Sequence, residues 1–249
     1  REQGVNGQNE MAAAFMLAGF DAFDVHMQDL LDDPSLLSKF QGLAACGGCS
    51  YGDVLGAGGG WSSSIIYNNA VRDSFEQFFN RDETFTFGVC NGCQMLSNIK
   101  DLIPGAENWP EFLWNESDQF EARLSQVTIA RSNSVLLTGM DGWQIPVAVA
   151  HGEGRASFEG EALKNLSKQN QIAVQFTDHK GNVASTYPLN PNGSPEGITG
   201  LTSKDGRATI MMPHPERVFR SQQLSWKSSK WKEYSPWMQI FLNAYKFSQ

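Results

Sequence analysis

The sequence predicts an α/β domain in which a mostly parallel sheet is covered by helices on both faces and extended by added antiparallel strands. Two patterns in the first half predict the parallel part: buried apolar strand segments alternate with helical ones, and the joins between them are short. The second half supplies a third pattern, a run of strand-like segments separated by hairpin turns. With 249 residues, 41% of them hydrophobic and 18% charged, the chain can bury a full core, and one domain over 1–249 is the simplest division.

The elements follow in order. REQGVNGQNEMAAAFMLAG (1–19) reads as a polar Gly/Asn turn and then a helix with apolar residues on one face, stopping at Gly19. In an α/β domain such a turn normally follows a strand. The chain starts at Arg1 without Met, so it is expected to be truncated at its N-terminus from something longer. FDAFDVHM (20–27) alternates as a strand does, and DPSLLSKF (33–40) has the Pro and Ser of a short helix start. GLAAC (42–46) reads as a buried strand end, followed by a glycine-rich loop over 47–60. WSSSIIYNNAVRDSFEQFFN (61–80) is helical by its apolar spacing, TFTFGV (84–89) is a strand, and NGCQMLSNIKDL (91–102) is helical again. Beyond residue 120, EARLSQVTIA, QIPVAVA, QIAVQFTD, NVASTY, ITGLTS and RATIMMP read as strands, joined by turns such as HKGN and KDG. PWMQIFLNAYKF (236–247) closes the chain as a helix with Pro at its start.

The formal net charge of −8 argues against nucleic acid or an anionic membrane as the main partner, since both require clustered Lys and Arg. The longest nearly apolar run, AAAFMLAGF (12–20), is too short to span a bilayer, and no signal peptide is evident. All four cysteines lie in two Cys-x-x-Cys pairs, at 46/49 and 90/93, which is unlike a secreted disulfide framework and points to the cytoplasm. Sequons at Asn115, Asn165 and Asn192 are then chance matches.

Three readings compete for the cysteines. Two Cys-x-x-Cys pairs can form a zinc-binding module with four cysteine ligands, but about forty residues with a long helix and a buried strand separate them, whereas compact zinc modules keep their knuckles closer. A redox dithiol suits Cys90 and Cys93 at a helix start, yet leaves Gly88 and Gly92 without a role. The third reading uses those glycines: Gly88-x-Cys90-x-Gly92 between strand and helix has the form of a nucleophile elbow, in which small residues permit the sharp turn. It requires a His base and an acid from elsewhere. His26 and His179 have no evident partner. His151 with Glu153 and His214 with Glu216 each form a His-x-Glu, each after an apolar strand, and spacing does not choose between them; the prolines flanking His214 favour a fixed base.

GVCNGCQM with the distant PHPER resembles the class I glutamine amidotransferases, whose fold is a flavodoxin- or Rossmann-like α/β sheet. REQGVNG, CGGCSYGDVLGAG, AHGEGR, NPNGSPEGITG and MMPHPERVFR together resemble the glutaminase domain at the C-terminus of the large single-chain phosphoribosylformylglycinamidine synthases, over essentially the whole chain. The resemblance implies Cys90 as nucleophile, His214 as its base and Glu216 as the residue orienting that base. It implies an oxyanion hole from the N–H groups of Gly48 and Asn91, a substrate contact at Gln94, and His151 as an accessory residue near the site or the ammonia route. Glutamine is the implied substrate and the synthetase part of the same parent chain the implied partner. No metal or cofactor is expected in this domain; ATP and Mg are expected on the synthetase part, and no phosphate-binding Gly-x-x-x-x-Gly-Lys-Ser/Thr occurs here. A γ-glutamyl hydrolase or peptidase of the same fold would use the same triad. The resemblance departs at Cys49, where an aromatic residue is usual, and at Gly59, where an acidic one is common.

Overall fold

A computed structural model describes residues 1–249. In chain order the helices are α1 (Gln8–Ala18), α2 (Met27–Asp32), α3 (Gly59–Ile66), α4 (Asn69–Asn80), α5 (Asn91–Asn98), α6 (Ala162–Lys168) and α7 (Met238–Phe247). The strands are β1 (Gly42–Ala45), β2 (Phe85–Val89), β3 (Glu111–Leu113), β4 (Glu121–Ile129), β5 (Gln144–His151), β6 (Arg155–Ser157), β7 (Ile172–Phe176), β8 (Ile198–Thr202) and β9 (Ala208–Met211). Seven of the strands form one sheet in the order β1-β2-β9-β8-β7-β4-β5, and β3 pairs with β6 in a small separate sheet.

The parallel part is β1, β2 and β9, and the rest of the sheet is an antiparallel extension. Strand β2 shows why both faces are covered. Phe85 and Phe87 project to one side, where Phe85 stacks on Phe15 of α1 at 5.9 Å and Phe87 meets Phe241 of α7 at 6.3 Å. Thr86 and Gly88 project to the other, where α5 lies so close that a Cβ on Gly88 would stand 2.4 Å from the Leu96 side chain. All five β2 residues are buried, and a large apolar side chain buried in this way stabilises the fold by roughly 1.5–3 kcal/mol.

The expected helix over 61–80 is two helices, α3 and α4, because Asn68 leaves helical geometry at φ −112° and its side chain accepts the Val71 N–H at 3.1 Å as an N-cap. The expected strand over 20–27 is absent. Its backbone is engaged otherwise: the Arg1 ammonium donates to the Val25 carbonyl at 2.5 Å and Met27 N–H to the Arg1 carbonyl at 2.8 Å, so no ladder forms. NVASTY is also not a strand. One bridge, Thr177 to Val183, extends β7, and the turn is closed by Asp178, which accepts from Lys180 and Asn182 N–H at 2.8 and 2.9 Å; the pairing then ends. The remaining expected strands and the terminal helix are present, while α2, α6 and the β3–β6 pair have no counterpart in the sequence pattern.

Strand β5 is the far edge of the sheet, yet it touches the segment that follows β9: His214 N–H donates to the Ala148 carbonyl at 2.8 Å. Four strand spacings of about 4.8 Å separate β5 from β9 in a flat sheet, so the extension must curl back over the parallel part. A cavity of about 590 Å3 runs along the outer edge of β1 among Phe20, Phe40, Phe85 and Tyr245, and Cys90 is not in its lining. No helix is long and apolar enough to cross a membrane.

Candidate active site

The parallel strands end together, and the chain leaving each one contributes to a single cluster. Cys90 follows β2 at φ 52° and ψ −112°, a left-handed conformation that costs a non-glycine residue of the order of 1–3 kcal/mol, and α5 starts at the next residue. This elbow depends on close backbone approach. A Cβ on Gly92 would fall 2.0 Å from the Ala45 carbonyl oxygen, so α5 can begin against β1 only because residue 92 is glycine. The Cys90 N–H is held by the Met211 carbonyl at 2.9 Å, which ties the elbow to the end of β9.

His214 leaves β9 toward the same point. Its Nδ1 lies 2.6 Å from Glu216 Oε1, and both side chains are buried. A carboxylate accepts, so Nδ1 carries a hydrogen, and Nε2 is left without a hydrogen-bond partner within the protein. Both the His214 ring and Cys90 Cβ pack on Gly47, where a Cβ would stand 2.6 Å from His214 Cε1 and 3.2 Å from Cys90 Cβ. Burial pushes the Cys90 thiol up, but the adjacent His214 imidazolium and hydrogen bonds from His151 and His214 outweigh it, and the thiol falls to about 6. His214 moves the opposite way. Burial lowers it, yet Glu216 on one side and the Cys90 thiolate on the other raise it to about 10. Each group stabilises the charge on the other, giving a thiolate–imidazolium pair.

Two N–H groups beside the thiol are unspent. Asn91 is the first residue of α5, and its N–H has no carbonyl one turn back within the helix. Gly48 lies between Asn6 N–H to Gly47 O and Cys49 N–H to Gly4 O, both 3.0 Å, and its own N–H donates to neither strand of that contact. The clasp excludes a side chain, since a Cβ at Gly48, whose φ is 150°, would lie 2.5 Å from Val5 Cα. The loop is held from α5: Asn91 Oδ1 accepts Ser50 N–H at 3.2 Å and its Nδ2 donates to Asp53 at 3.0 Å. Gln94 is committed within the protein on both sides, with Oε1 3.3 Å from Asn91 Nδ2 and Nε2 donating to the Glu153 carbonyl at 2.7 Å.

His151, at the end of β5, follows Ala150, whose carbonyl lies 3.7 Å from the Cys90 sulfur. His151 Nε2 is 2.7 Å from Asn192 Oδ1, and its Nδ1 is buried without a hydrogen-bond partner. Glu153 accepts the Ala57 N–H at 3.1 Å and so anchors the glycine-rich loop, while Arg155 donates to the Trp114 carbonyl at 3.0 Å; neither orients His151. Asn192 does that, and Asn115 supports the same turn by donating to the His151 carbonyl at 2.8 Å and accepting Gly154 N–H at 3.0 Å. Sequence reasoning misses both asparagines, setting them aside as chance sequons. Their burial is the signal of a structural role.

The other histidines lie elsewhere. His26 caps α2 by accepting Gln28 N–H at 3.1 Å, and His179 sits in an exposed turn. The four cysteines do not converge as a zinc-binding set, and no group of three or more His, Cys, Asp or Glu side chains is arranged to hold a metal ion. Cys93 is wholly buried inside α5 and its thiol is pushed well above the ordinary value by desolvation. Cys46 is pushed up to about 12 by burial, and Cys49, which is exposed, to about 11 by desolvation and the neighbouring Asp53.

The sequence matches the family of CobB/CobQ-like glutamine amidotransferase domains over residues 1–248. In fold, the chain is similar to the solved structure of PurLQS from Thermotoga maritima, with a TM-score of 0.72 and 20% identity over 100% of this chain and 96% of that one. It is also similar to a Trypanosoma brucei CTPS glutaminase domain with bound acivicin, at a TM-score of 0.55 and 12% identity over 96% of this chain and 87% of that one. At these identities the two likenesses speak for the fold.

Proposed function

Because the chain belongs to the family of CobB/CobQ-like glutamine amidotransferase domains, we propose that it hydrolyses glutamine to glutamate and ammonia, with Cys90 as nucleophile, His214 as proton carrier and Glu216 as the carboxylate that orients His214. The observation that carries this reading is the Cys90 thiol, turned out at a strained elbow and lowered to about 6 beside the imidazole of His214.

The Cys90 thiolate attacks the carboxamide carbon, and the electron pair of the C=O bond moves to oxygen. The N–H groups of Gly48 and Asn91 stabilise that oxyanion; losing one such donor typically costs on the order of a hundredfold in rate. Imidazolium His214 gives its Nε2 proton to the nitrogen, the C–N bond breaks, and ammonia leaves a glutamyl thioester on Cys90. Neutral His214 then takes a proton from water as the water attacks the thioester. The C–S bond breaks, glutamate leaves, and the thiolate–imidazolium pair is restored. Glu216 stays ionised and keeps Nδ1 protonated, so Nε2 is the atom that works.

The ammonia serves, in this reading, a synthetase part of the same parent chain that converts formylglycinamide ribonucleotide to formylglycinamidine ribonucleotide with ATP and Mg in purine biosynthesis, through a path shielded from cytoplasmic water. The motifs AHGEGR, NPNGSPEGITG and MMPHPERVFR support that placement, as does the likeness in fold to PurLQS. Gln94 lies on the first turn of α5, one turn from the thiol, where a contact with the bound glutamine is proposed. The test is Cys90→Ala in the whole enzyme. Glutamine-dependent amidine formation is expected to vanish while formation from added ammonium salt persists; retained use of glutamine would overturn the assignment.

A further inference from the structure

Resting on the glutaminase reading, we propose that the Asn91 side chain is a positioning group of the oxyanion hole. It ties the loop that carries the Gly48 N–H to α5, which carries the Asn91 N–H, and so sets the spacing of the two donors.

The loop needs holding. Tyr51, Gly52 and Asp53 follow one another in the left-handed region, at φ 52°, 63° and 55°, and only glycine adopts it without cost. The tip has no support from outside. Tyr51, Val54 and Leu55 are exposed, and a Cβ on Gly52 or Gly56 would meet nothing within 4 Å. Relaxation into solvent is therefore open to residues 51–56 unless contacts on the inner side oppose it.

Asn91 supplies such contacts at both ends of the left-handed run. Its Oδ1 accepts the Ser50 N–H at 3.2 Å, just before Tyr51, and its Nδ2 donates to Asp53 Oδ1 at 3.0 Å. The amide cannot turn over: an N–H only donates and a carboxylate only accepts, so oxygen faces Ser50 and nitrogen faces Asp53. Nδ2 also lies 3.3 Å from Gln94 Oε1, which accepts its second hydrogen. Asn91 is 1% exposed and Ser50 wholly buried, so water competes little for these bonds.

Gly48 lies two residues before Ser50. The Gly47 carbonyl accepts Asn6 and Gly7 N–H and the Gly4 carbonyl accepts Cys49 N–H, all at 3.0 Å, which ties Gly48 to the turn before α1. The Ser50 and Asp53 bonds tie the same loop to the helix that starts beside the nucleophile. An oxyanion must meet both donors at once, each at about 2.7–3.1 Å, so the distance between the donors matters as much as the place of either. One residue thus offers a donor from its main chain and holds the other through its side chain.

The test is run in the full chain. Asn91→Ala keeps the main-chain N–H and the net charge and removes the tie. It is expected to lower kcat for glutamine about 10- to 100-fold, up to the loss of one oxyanion donor, with KM changed less than about threefold. Methyl methanethiosulfonate reacts with a thiol without forming an oxyanion, so the pH midpoint of Cys90 modification should stay at about 6 in this variant. Two further variants read the other end of the tie and leave α5 untouched. Asp53→Asn loses the charge but keeps an acceptor for Asn91 and suits a left-handed backbone; it is expected to retain most of the rate. Asp53→Gly loses charge and acceptor alike, with no backbone penalty, and is expected to be about tenfold slower than Asp53→Asn. An unchanged kcat in Asn91→Ala, equal rates in the two Asp53 variants, or a Cys90 midpoint that moves with the loss of rate would overturn the proposal. Should Asn91→Ala fail to fold, the Asp53 pair decides alone. If the unmodified full chain turns over no glutamine, the glutaminase reading fails and the proposal with it.

Discussion

The thiolate–imidazolium pair makes its sharpest prediction for Cys90 reactivity as a function of pH. At pH 7 a thiol at its ordinary value of 9.0 is about 1% ionised, whereas one lowered to about 6 is about 90% ionised. That is a gain of about 90-fold in thiolate. Nucleophilicity falls with pKa, however, with a Brønsted coefficient of about 0.4–0.5, so the same shift removes about 15- to 30-fold. The net gain at pH 7 is about three- to sixfold, too small to separate the readings by rate alone. The midpoint of the profile does separate them. With methyl methanethiosulfonate, a small neutral reagent, and peptide mass spectrometry to read each cysteine, Cys90 modification is expected to rise through about pH 6 and level off. Cys49, at about 11, and Cys46, at about 12, should respond only in strong base. Glu216→Gln removes the nearest charge that raises His214, so the imidazolium weakens and the Cys90 midpoint should climb toward 9. A midpoint near 9 in the unmodified protein, or one that ignores Glu216→Gln, would refute the pairing.

Two further perturbations separate the chemistry of the site from the scaffold that holds it. Gly47→Ala would place a Cβ 2.6 Å from His214 Cε1, so the ring must retreat by about 0.8 Å to reach ordinary contact; a misplacement of that size typically costs about 100-fold in kcat, with little change in thermal midpoint, and an unchanged kcat would show that the ring has room. Gly92→Ala would place a Cβ 2.0 Å from the Ala45 carbonyl oxygen, which is backbone and cannot swing away; overpacking of this kind costs about 3 kcal/mol or more, equivalent to a fall of about 6–12 °C in Tm for a chain of this size, and an unaltered Tm would mean that α5 does not approach β1 as described.

How much of this is legible in the sequence depends on whether the cause is local. The elbow can be read because Gly88, Cys90 and Gly92 lie within five residues between a buried strand and a helix. The antiparallel hairpin of β8 and β9 can be read from its apolar runs and the KDG turn. Alternation at 20–27 misleads because period two records which side chains can face a core, not whether the backbone finds a ladder; Arg1 already occupies that stretch. Spacing leaves His151 and His214 unranked, and the structure explains why. Both segments arrive at Cys90, His214 packing with it on Gly47 and the residue before His151 placing its carbonyl 3.7 Å from the sulfur, so a choice of one base by spacing has no basis. What distinguishes them is the partner of the second ring nitrogen, a carboxylate for His214 and an amide for His151, and the amide lies 41 residues away in sequence.

Strand direction explains why His151 lies at the same end of the sheet as Cys90 and His214. Passing from β9 through β8, β7 and β4 to β5, every pairing is antiparallel, so direction reverses four times and β5 again runs the same way as β9. Its last residue, His151, therefore emerges at the end of the sheet where β1, β2 and β9 also finish. With one strand fewer, His151 would sit at the opposite end. Direction alone would still leave it remote, because β5 lies four strands away; the curl that lets Ala148 accept the His214 N–H closes that distance. The same contact sets the phase of the edge. Carbonyls on β5 alternate, so once Ala148 faces the His214 segment, Ala150 must face the site and Val149 cannot. Cys90, His214 and the N–H groups of Gly48 and Asn91 follow the parallel strands, whereas Ala150 and His151 come from the antiparallel extension.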